Sequence, residues 1–304
     1  MSSDPAWTEI RVEVPVGWEE LVSENLGEPP GTGAVIGPVE SDERPAGDGR
    51  TWVRTYVPPG DDIASARVEL AARLERLAEA VGDADLERLA LNVRDVPDED
   101  WLGAWQQHCR PFRVRRIAIL APDSEPAPKP DDVEIRLEPG RAFGTGRHAT
   151  TRTCLLVLQQ RMRPGDRILD AGTGSGILSV AAAKLGAGSC LGFDHSPHAA
   201  SVFQTLVDRN GVGDTCEYRE GSFDILDAGE RYDIVLGNLF SDVLQKYATD
   251  LVARVREGGL LVASGCPVAH RVETLDALEN AGFVLETATV RGRWCTFVGG
   301  VTAS

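Results

Sequence analysis

RILDAGTGSGILSVAAAKLGAGSCLGFD, residues 167–194, is the stretch that decides the fold of this 304-residue chain. It reads as a short apolar strand, a glycine turn, a helix of small residues and a second apolar strand. Glycines stand at 172, 174 and 176, whereas the dinucleotide fingerprint G-x-G-x-x-G would need a glycine where Ile177 stands. The stretch therefore predicts a βαβ unit whose turn approaches a ligand other than a dinucleotide.

Two acids flank the turn. Asp170 lies on the first strand, just before the glycines, and Asp194 ends the second strand. An acid about 20 residues beyond such a turn is placed to accept hydrogen bonds from a pair of ribose hydroxyls. Glycines let the backbone pass close to a ligand, because no Cβ intervenes. This pattern is typical of a site for a nucleoside without a diphosphate, and S-adenosylmethionine is the commonest such cofactor. We predict that Gly172, Gly174 and Asp194 bind it.

The chain from residue 133 onward alternates strands and helices, which predicts an open, mostly parallel α/β sheet. The last two strands are separated only by Arg291 and Gly292, so they should form a hairpin with one antiparallel strand. Seven strands ending in such a hairpin resemble the class I methyltransferase fold, a Rossmann-like sheet. Helices are expected near 149–161, 175–185, 197–210, 241–256 and 267–281, and strands near 167–171, 189–193, 215–220, 232–237, 259–264, 283–290 and 293–298.

The N-terminal part reads in the order β-α-β-β-α-β, which is the ferredoxin-like pattern of an α+β domain. Strands are expected near 7–14, 33–40, 51–57 and 86–96, and helices over 15–26 and after Asp61 and Asp62, which stand where a cap and first-turn acids belong. We predict a recognition domain over 1–96, a linker over 97–132 and a methyltransferase domain over 133–304. The linker contains Trp101 and Trp105 one helical turn apart, followed by a proline-rich stretch typical of a stiff connector.

Composition restricts the class of protein. Six scattered cysteines without a C-x-x-C pair favour a reduced, cytoplasmic protein without structural zinc, and no metal site is expected. No apolar run is long enough for a membrane span, and the N-terminus lacks the features of a signal peptide. The net charge of −16 argues weakly against a nucleic-acid partner and is compatible with either a basic partner or adaptation to salt. A monomer is expected.

The loop EPGRAFGTGRHATT, residues 138–151, precedes the first helix of the second half. Its glycines make it flexible, and its hydroxyl groups could fold over the methionine half of the cofactor, which predicts binding by Phe143, Thr145 and Thr151. The structural alternative is that Thr150 or Thr151 caps the following helix. His148 is interpreted as a hydrogen-bonding organiser, because no neighbour in sequence would orient it as a base.

The segment DIVLGNLF, residues 233–240, places Asn238 after an apolar strand and before a helix. The ordinary role for such an asparagine is a helix N-cap. The functional alternative is an acceptor for a substrate amine, which would fix the nitrogen lone pair toward a methyl carbon. Phe240 could line the substrate channel or simply pack, and Trp294 in the terminal hairpin is assigned to the core.

With these segments, the chain resembles the PrmA family of bacterial methyltransferases that modify ribosomal protein L11. The resemblance rests on DEDWLGAWQQHCRPF, AFGTGRHATT, the glycine turn, Asp194 and Asn238-Leu239. It implies cofactor contacts at Thr151, Gly172, Asp194 and Asn238. It also implies that the N-terminal domain recognises the ribosomal protein, and that lysine side chains and the N-terminal amine are methylated.

Three positions depart from the pattern of that family. Ala149 stands where proline is usual, Thr173 where cysteine is usual, and Phe240 where a smaller residue is usual. Because Phe240 lies near the expected substrate entrance, two alternatives stay open. One is a methyltransferase acting on another protein or nucleic-acid amine, and the other is a non-catalytic relative that keeps the cofactor site. An NAD-dependent oxidoreductase is excluded by the glycine spacing.

Overall fold

The computed structural model describes residues 7–27, 30–31, 34–36, 49–58, 60–96, 111–121, 129, 131–137, 146 and 148–301. The chain divides into two compact units. The first is Met1–Arg110 with Glu138–Thr145, and the second is Pro111–Leu137 with Gly146–Ser304. Trp101, Trp105, Phe143 and Thr145 lie outside the described residues.

The first unit has the ferredoxin-like arrangement expected from its sequence. Its sheet has the order β2-β3-β1-β4 with antiparallel neighbours, and α1 and α2 connect its strands. Asp62 caps α2 by accepting from the backbone N–H groups of Ala64 at 3.0 Å and Ser65 at 3.3 Å. The described elements are β1 (Trp7–Pro15), α1 (Glu19–Gly27), β2 (Ala34–Ile36), β3 (Arg50–Val57), α2 (Ile63–Val81) and β4 (Asn92–Val96).

Alternation along β1 explains how this unit buries its core. Ile10, Val12 and Val14 are fully buried, and so is Leu70 of α2. Such a period of two places every second side chain on one face of a strand. Two predicted boundaries differ: α1 begins at Glu19 instead of residue 15, and β4 begins at Asn92 instead of residue 86. Residues 84–88 form turns instead of strand, although Leu86 is buried as the apolar pattern required.

The second unit begins with a small sheet in the order β5-β6-β7. Strands β5 (Phe112–Val114) and β6 (Ile117–Leu120) pair antiparallel, and β6 pairs parallel with β7 (Val133–Arg136). Ile117 and Ile135 are fully buried in the core of this unit. Residues 112–120 of the predicted linker therefore pack into the second unit, whereas the stiff connector was expected for the proline-rich stretch that follows them. The boundaries at 96 and 133 stay predictions.

The large sheet of the second unit has the order β10-β9-β8-β11-β12-β14-β13. The pairs from β10 to β12 are parallel, and β14 is antiparallel to both of its neighbours, as the two-residue hairpin predicted. The strands of this sheet and the helices beside it are α3 (Ala149–Arg161), β8 (Arg167–Ala171), α4 (Ile177–Lys184), β9 (Ser189–Asp194), α5 (Ala199–Asn210), β10 (Cys216–Glu220), β11 (Tyr232–Asn238), α6 (Ser241–Lys246), α7 (Ala248–Ala253), β12 (Val255–Pro267), α8 (Arg271–Asn280), β13 (Phe283–Arg291) and β14 (Trp294–Val301).

Both faces of this sheet are covered, as expected for parallel strands. Ile168 and Leu236 belong to one core with α3, α4 and α5, whereas Leu169 and Val235 belong to the core on the opposite face with α6, α7 and α8. The predicted helix 241–256 is interrupted at Tyr247, which gives two short helices. Among the described residues, no helix has the length and apolar character needed to cross a bilayer.

Candidate functional site

Three strand ends meet at the carboxyl edge of the large sheet. Ala171 of β8 pairs with Phe193 of β9 on one side and with Gly237 of β11 on the other. The next residue on each strand is Gly172, Asp194 or Asn238, so the register brings the three predicted positions to one edge. β8 is also where the strand order reverses, since the chain moves outward to β9 and later returns to β11. Ligands of open α/β sheets bind at such a switch point.

The glycine turn requires its glycines for conformational reasons. Gly172, Gly174 and Gly176 have φ of 67°, 52° and 82°, a region that residues with a Cβ rarely adopt. Space is limited as well: a Cβ at Gly172 would overlap the Leu239 side chain, and one at Gly176 would lie 2.5 Å from Cδ2 of Phe203. The glycine turn therefore lies against Leu239, the residue that follows β11.

Asp194 faces this turn with both carboxylate oxygens engaged. Oδ2 accepts from the backbone N–H of Gly174 at 3.0 Å, and Oδ1 accepts from the backbone N–H of Ser196 at 2.9 Å. Each carboxylate oxygen can accept more than one hydrogen bond, so acceptor capacity for two further donors remains. This acceptor capacity fits the vicinal hydroxyls of a ribose, which would donate to the carboxylate. The carboxylate is also fixed, because both of its backbone partners belong to tight turns.

Asn238 donates from Nδ2 to Oγ1 of Thr151 at 3.2 Å. Thr151 lies in the first turn of α3 and is 2% exposed, whereas Asn238 is half-buried. The alternative that Asn238 is a helix N-cap does not hold, because α6 begins after Phe240 and has no side-chain cap. The amide is therefore oriented by Thr151, and its Oδ1 is the acceptor left for a ligand.

His148 is the N-cap of α3. Its Nδ1 lies 3.4 Å from the backbone nitrogen and 2.6 Å from the hydroxyl oxygen of Thr150. The structural alternative, in which Thr150 or Thr151 caps this helix, does not hold, because the imidazole nitrogen reaches the backbone N–H two residues ahead. Burial lowers the pKa of His148 to about 4, so the ring is neutral at pH 7.

An aromatic cluster lies beside this cap. The rings of His148 and Trp294 meet edge-to-face with centroids 4.9 Å apart, and Phe240 lies 6.4 Å from Trp294. Trp294 is 4% exposed, which agrees with its assignment to the core. Its position beside the Asn238 segment was not foreseen. Trp294 pairs with Pro267 at the end of β12, and this register places the indole at the carboxyl edge of the sheet.

The loop before α3 is described only at its end. Gly146 has φ of 76°, and a Cβ there would lie 2.6 Å from Cδ1 of Ile177 and 2.8 Å from Cδ1 of Ile119. The backbone at this point is thus pressed against α4 and β6. The predicted roles of Phe143 and Thr145 lie outside the described residues.

Comparison with known proteins assigns this arrangement to a family. The family described as ribosomal protein L11 methyltransferase (PrmA) matches residues 6–301. The chain belongs to this family. It is 36% identical over 300 residues to the ribosomal protein L11 methyltransferase of Geobacter metallireducens, covering 96% of this chain and 97% of that relative. The Geobacter sulfurreducens protein of the same name is 36% identical over 301 residues, covering 97% and 98%.

A solved structure supports the same assignment. The crystal structure of the ribosomal protein L11 methylase from Lactobacillus delbrueckii subsp. bulgaricus is 28% identical, with a TM-score of 0.58. It covers 64% of this chain and 99% of that chain. The fold is accordingly the class I methyltransferase fold, and the chain is an S-adenosylmethionine-dependent protein methyltransferase of the PrmA family.

The departure from the PrmA pattern at Thr173 has a structural role. Its hydroxyl donates to Oδ2 of Asp170 at 2.7 Å, and Ser179 donates to the same oxygen at 2.8 Å. Asp170 is 1% exposed, so burial raises the pKa of its carboxyl while both hydroxyl groups oppose the rise. Asp170 therefore stabilises the glycine turn from the buried side through Thr173 and Ser179. Among the described residues, it is Asp194 that presents a carboxylate at the strand end.

The departure at Ala149 is compatible with the local structure. Ala149 is the first residue of α3, the position where proline is common because its missing N–H would have no helical partner. Alanine has the highest helix propensity, so the substitution preserves the start of the helix. Phe240, the third departure, is held near Trp294 at the entrance to α6.

Proposed function

We propose that this enzyme methylates lysine side chains and the N-terminal amine of ribosomal protein L11, and that the first unit recognises that protein. The observation that carries the proposal is the extent of the family match. Residues 6–301 include the ferredoxin-like unit as well as the methyltransferase fold. Relatives that align over both parts are named ribosomal protein L11 methyltransferases. A substrate-recognising role for the first unit explains why the family match includes that unit together with the methyltransferase fold.

The cofactor-binding part of the proposal assigns roles along the strand ends. Asp194 accepts from the ribose hydroxyls, and the backbone of Gly172 and Gly174 lies against the nucleoside. Thr151 contacts the methionine half, together with Phe143 and Thr145 of the preceding loop. When bound, S-adenosylmethionine supplies a methyl group on a positively charged sulfur that departs as a neutral thioether, so no residue is required as a general acid.

Asn238 is proposed as the residue that contacts the substrate amine. Its Oδ1 accepts an N–H of the amine and directs the nitrogen lone pair. Such orientation of two reacting groups can contribute roughly 7 to 11 kcal/mol at most to lowering a barrier. Asn238 suits this role because its Nδ2 is already bonded to Thr151. An amide oxygen is neutral, so it orients the amine while stabilising its charged form less than a carboxylate would.

The amine must be uncharged to react, although free lysine has a pKa near 10.4. An apolar entrance lowers the pKa of an amine by desolvation, and the half-buried ring of Phe240, which lies near Trp294, supplies apolar surface there. His148 is not required as a base, because its lowered pKa of about 4 makes it a weak proton acceptor. Water takes the proton from the amine.

The proposal also covers the cellular location, the oligomeric state and the partners of the enzyme. We expect a cytoplasmic monomer that acts on the free ribosomal protein and makes no direct contact with nucleic acid. The net charge of −16 is compatible with a basic protein substrate and unfavourable for binding RNA. Size-exclusion chromatography with light scattering would measure the oligomeric state directly.

The deciding experiment is intact-mass spectrometry after incubation with S-adenosylmethionine. Ribosomal protein L11, transfer RNA and duplex DNA are offered separately, and Asp194→Ala serves as the enzyme control. Mass steps of one methyl group on the ribosomal protein, followed by peptide mapping to lysine and the N-terminal amine, are expected. Methylation of a nucleic acid alone would overturn the substrate assignment. Cofactor binding without methylation of any substrate would favour a non-catalytic relative.

A further inference from the structure

The backbone that follows Asn238 has little freedom to move. The N–H of Leu239 donates to the carbonyl of Ser264 at 2.9 Å. The Leu239 side chain occupies the space that a Cβ on Gly172 would need, and its carbonyl lies where a Cβ on Gly265 would be. Gly265 has φ of 92°, so glycine is favoured there on both conformational and steric grounds. The remaining freedom at Asn238 is rotation of its side chain.

One hydrogen bond restricts that rotation. Thr151 Oγ1 accepts from Asn238 Nδ2 at 3.2 Å, and Thr151 is itself buried at the start of α3. This part of α3 is held at two points. His148 caps its first turn, and Cys154, one turn beyond Thr151, is fully buried in the same core as Leu236 of β11, the strand that ends at Asn238.

In this arrangement the two ends of the amide face different partners, with Nδ2 toward Thr151. Without a partner, an asparagine amide can rotate and exchange its oxygen for its NH2 group, which would present donors to a substrate amine. With Nδ2 bonded to Thr151, Oδ1 is the end left to accept. Misplacing a reacting or orienting group by about 1 Å can lower a rate about 100-fold.

We propose that Thr151 is a positioning residue that acts through Asn238, setting the amide so that its oxygen meets the substrate amine. This inference rests on the proposed role of Asn238 and goes beyond the contact with the cofactor that the family resemblance implies for Thr151. The two roles make different kinetic predictions. Loss of a cofactor contact weakens cofactor binding, whereas loss of positioning lowers the rate at saturating cofactor.

The test uses Thr151→Val, which keeps the size and branching of the side chain but removes the hydroxyl. We expect kcat at saturating cofactor to fall about 10- to 100-fold, and the Kd for S-adenosylmethionine measured by calorimetry to rise by a smaller factor, because the contact of Thr151 with the methionine half is lost as well. Thr151→Ser should restore most of kcat because it restores the acceptor. Thr153→Val is the matched control, since Thr153 is buried in the same helix and its hydroxyl donates to the Ala149 carbonyl.

A double-mutant cycle separates positioning from a general structural effect. In an Asn238→Ala background, Thr151→Val should lower kcat no further, because the residue through which it acts is gone. Independent losses that multiply in the double variant would overturn the inference. So would a Thr151→Val variant with weakened cofactor binding and an unchanged kcat at saturation.

A second measurement does not depend on turnover. The side-chain NH2 signals of Asn238, assigned in a nitrogen-15 spectrum by their disappearance in Asn238→Ala, should move in Thr151→Val and return in Thr151→Ser. Unmoved signals would show that Thr151 does not hold the amide. Should the wild-type enzyme fail to methylate ribosomal protein L11, the substrate assignment is at fault. This spectrum still decides the role of Thr151.

Discussion

The side chain of Leu239 lies against the α-carbon of Gly172, in the space that any larger residue at 172 would fill. Gly172 begins the turn that follows β8, and Leu239 follows the end of β11. The proposed cofactor-binding turn therefore touches the segment that carries Asn238. A displacement of one is transmitted to the other through this contact, because packed side chains leave no space to absorb it.

Gly172→Ala should therefore impair both cofactor binding and the rate of methyl transfer. The left-handed backbone costs about 1 to 2 kcal/mol for a residue with a Cβ, and the added methyl must also displace Leu239. We expect a higher Kd for S-adenosylmethionine by calorimetry and a lower kcat at saturation. Adding Leu239→Ala should recover part of the affinity, because it removes the overlap but not the backbone strain.

Gly211→Ala is the control for that experiment. Gly211 has φ of 63°, nearly the same as Gly172, but a Cβ there would meet nothing within 4 Å. It should therefore lose only the stability that the backbone strain costs, measured in denaturant, while keeping cofactor affinity and kcat. An equal loss of affinity in both variants would contradict the role given to the Gly172–Leu239 contact.

Asp194→Ala should weaken the binding of S-adenosylmethionine sharply. A hydrogen bond to a charged group contributes about 1.5 to 3 kcal/mol, which corresponds to about a 10- to 100-fold change in Kd. The exposed Asp214→Ala changes the net charge equally and should leave the affinity unchanged. Unaltered affinity by calorimetry in Asp194→Ala would remove Asp194 from the site.

The sequence was sufficient to predict those features that depend on neighbours along the chain. The glycine turn, the acids at 170 and 194, and the hairpin at residues 291–292 each lie in one short segment, and the structure has them as expected. The proximity of the strand ends could be predicted because parallel strands present their carboxyl ends at one edge of the sheet.

Contacts between distant segments could not be predicted in this way. Asn238 and Thr151 are 87 positions apart, and no periodicity connects them. The His148 cap was missed because histidine is not a common N-cap residue, so the better cap formers beside it were preferred. Residues 112–120 were interpreted as part of a connector because strands of three or four residues are too short to show a clear alternation.

Acidification should destabilise the enzyme through His148. Its pKa is lowered from 6.5 to about 4 by burial, so the folded state disfavours the charged ring. The unfolded chain binds a proton as the pH falls through 6.5, whereas the folded chain does so only near 4, and stability is lost between these values. The loss between about pH 7.5 and about pH 5 is roughly 2 kcal/mol.

His148→Asn tests this expectation, because asparagine is a good N-cap that does not titrate. Urea unfolding of both proteins at the two pH values should show a smaller acid-induced loss in the variant. His198→Asn, at an exposed position, should retain the wild-type difference. If His148→Asn loses as much stability on acidification as the wild-type protein, another group is responsible.

Phe240→Ala should shift the pH dependence of methylation without changing cofactor affinity. Phe240 is half-buried near Trp294 at the start of α6, and its ring supplies apolar surface two residues beyond Asn238. Removing the ring admits water, so the substrate amine is less desolvated and its pKa rises toward that of free lysine. Because the uncharged amine is the reactive form, the rise of kcat/KM with pH should move to higher pH. Phe240→Leu keeps the apolar surface and should move the profile less, and a profile that is unchanged in Phe240→Ala would mean that the ring serves packing alone.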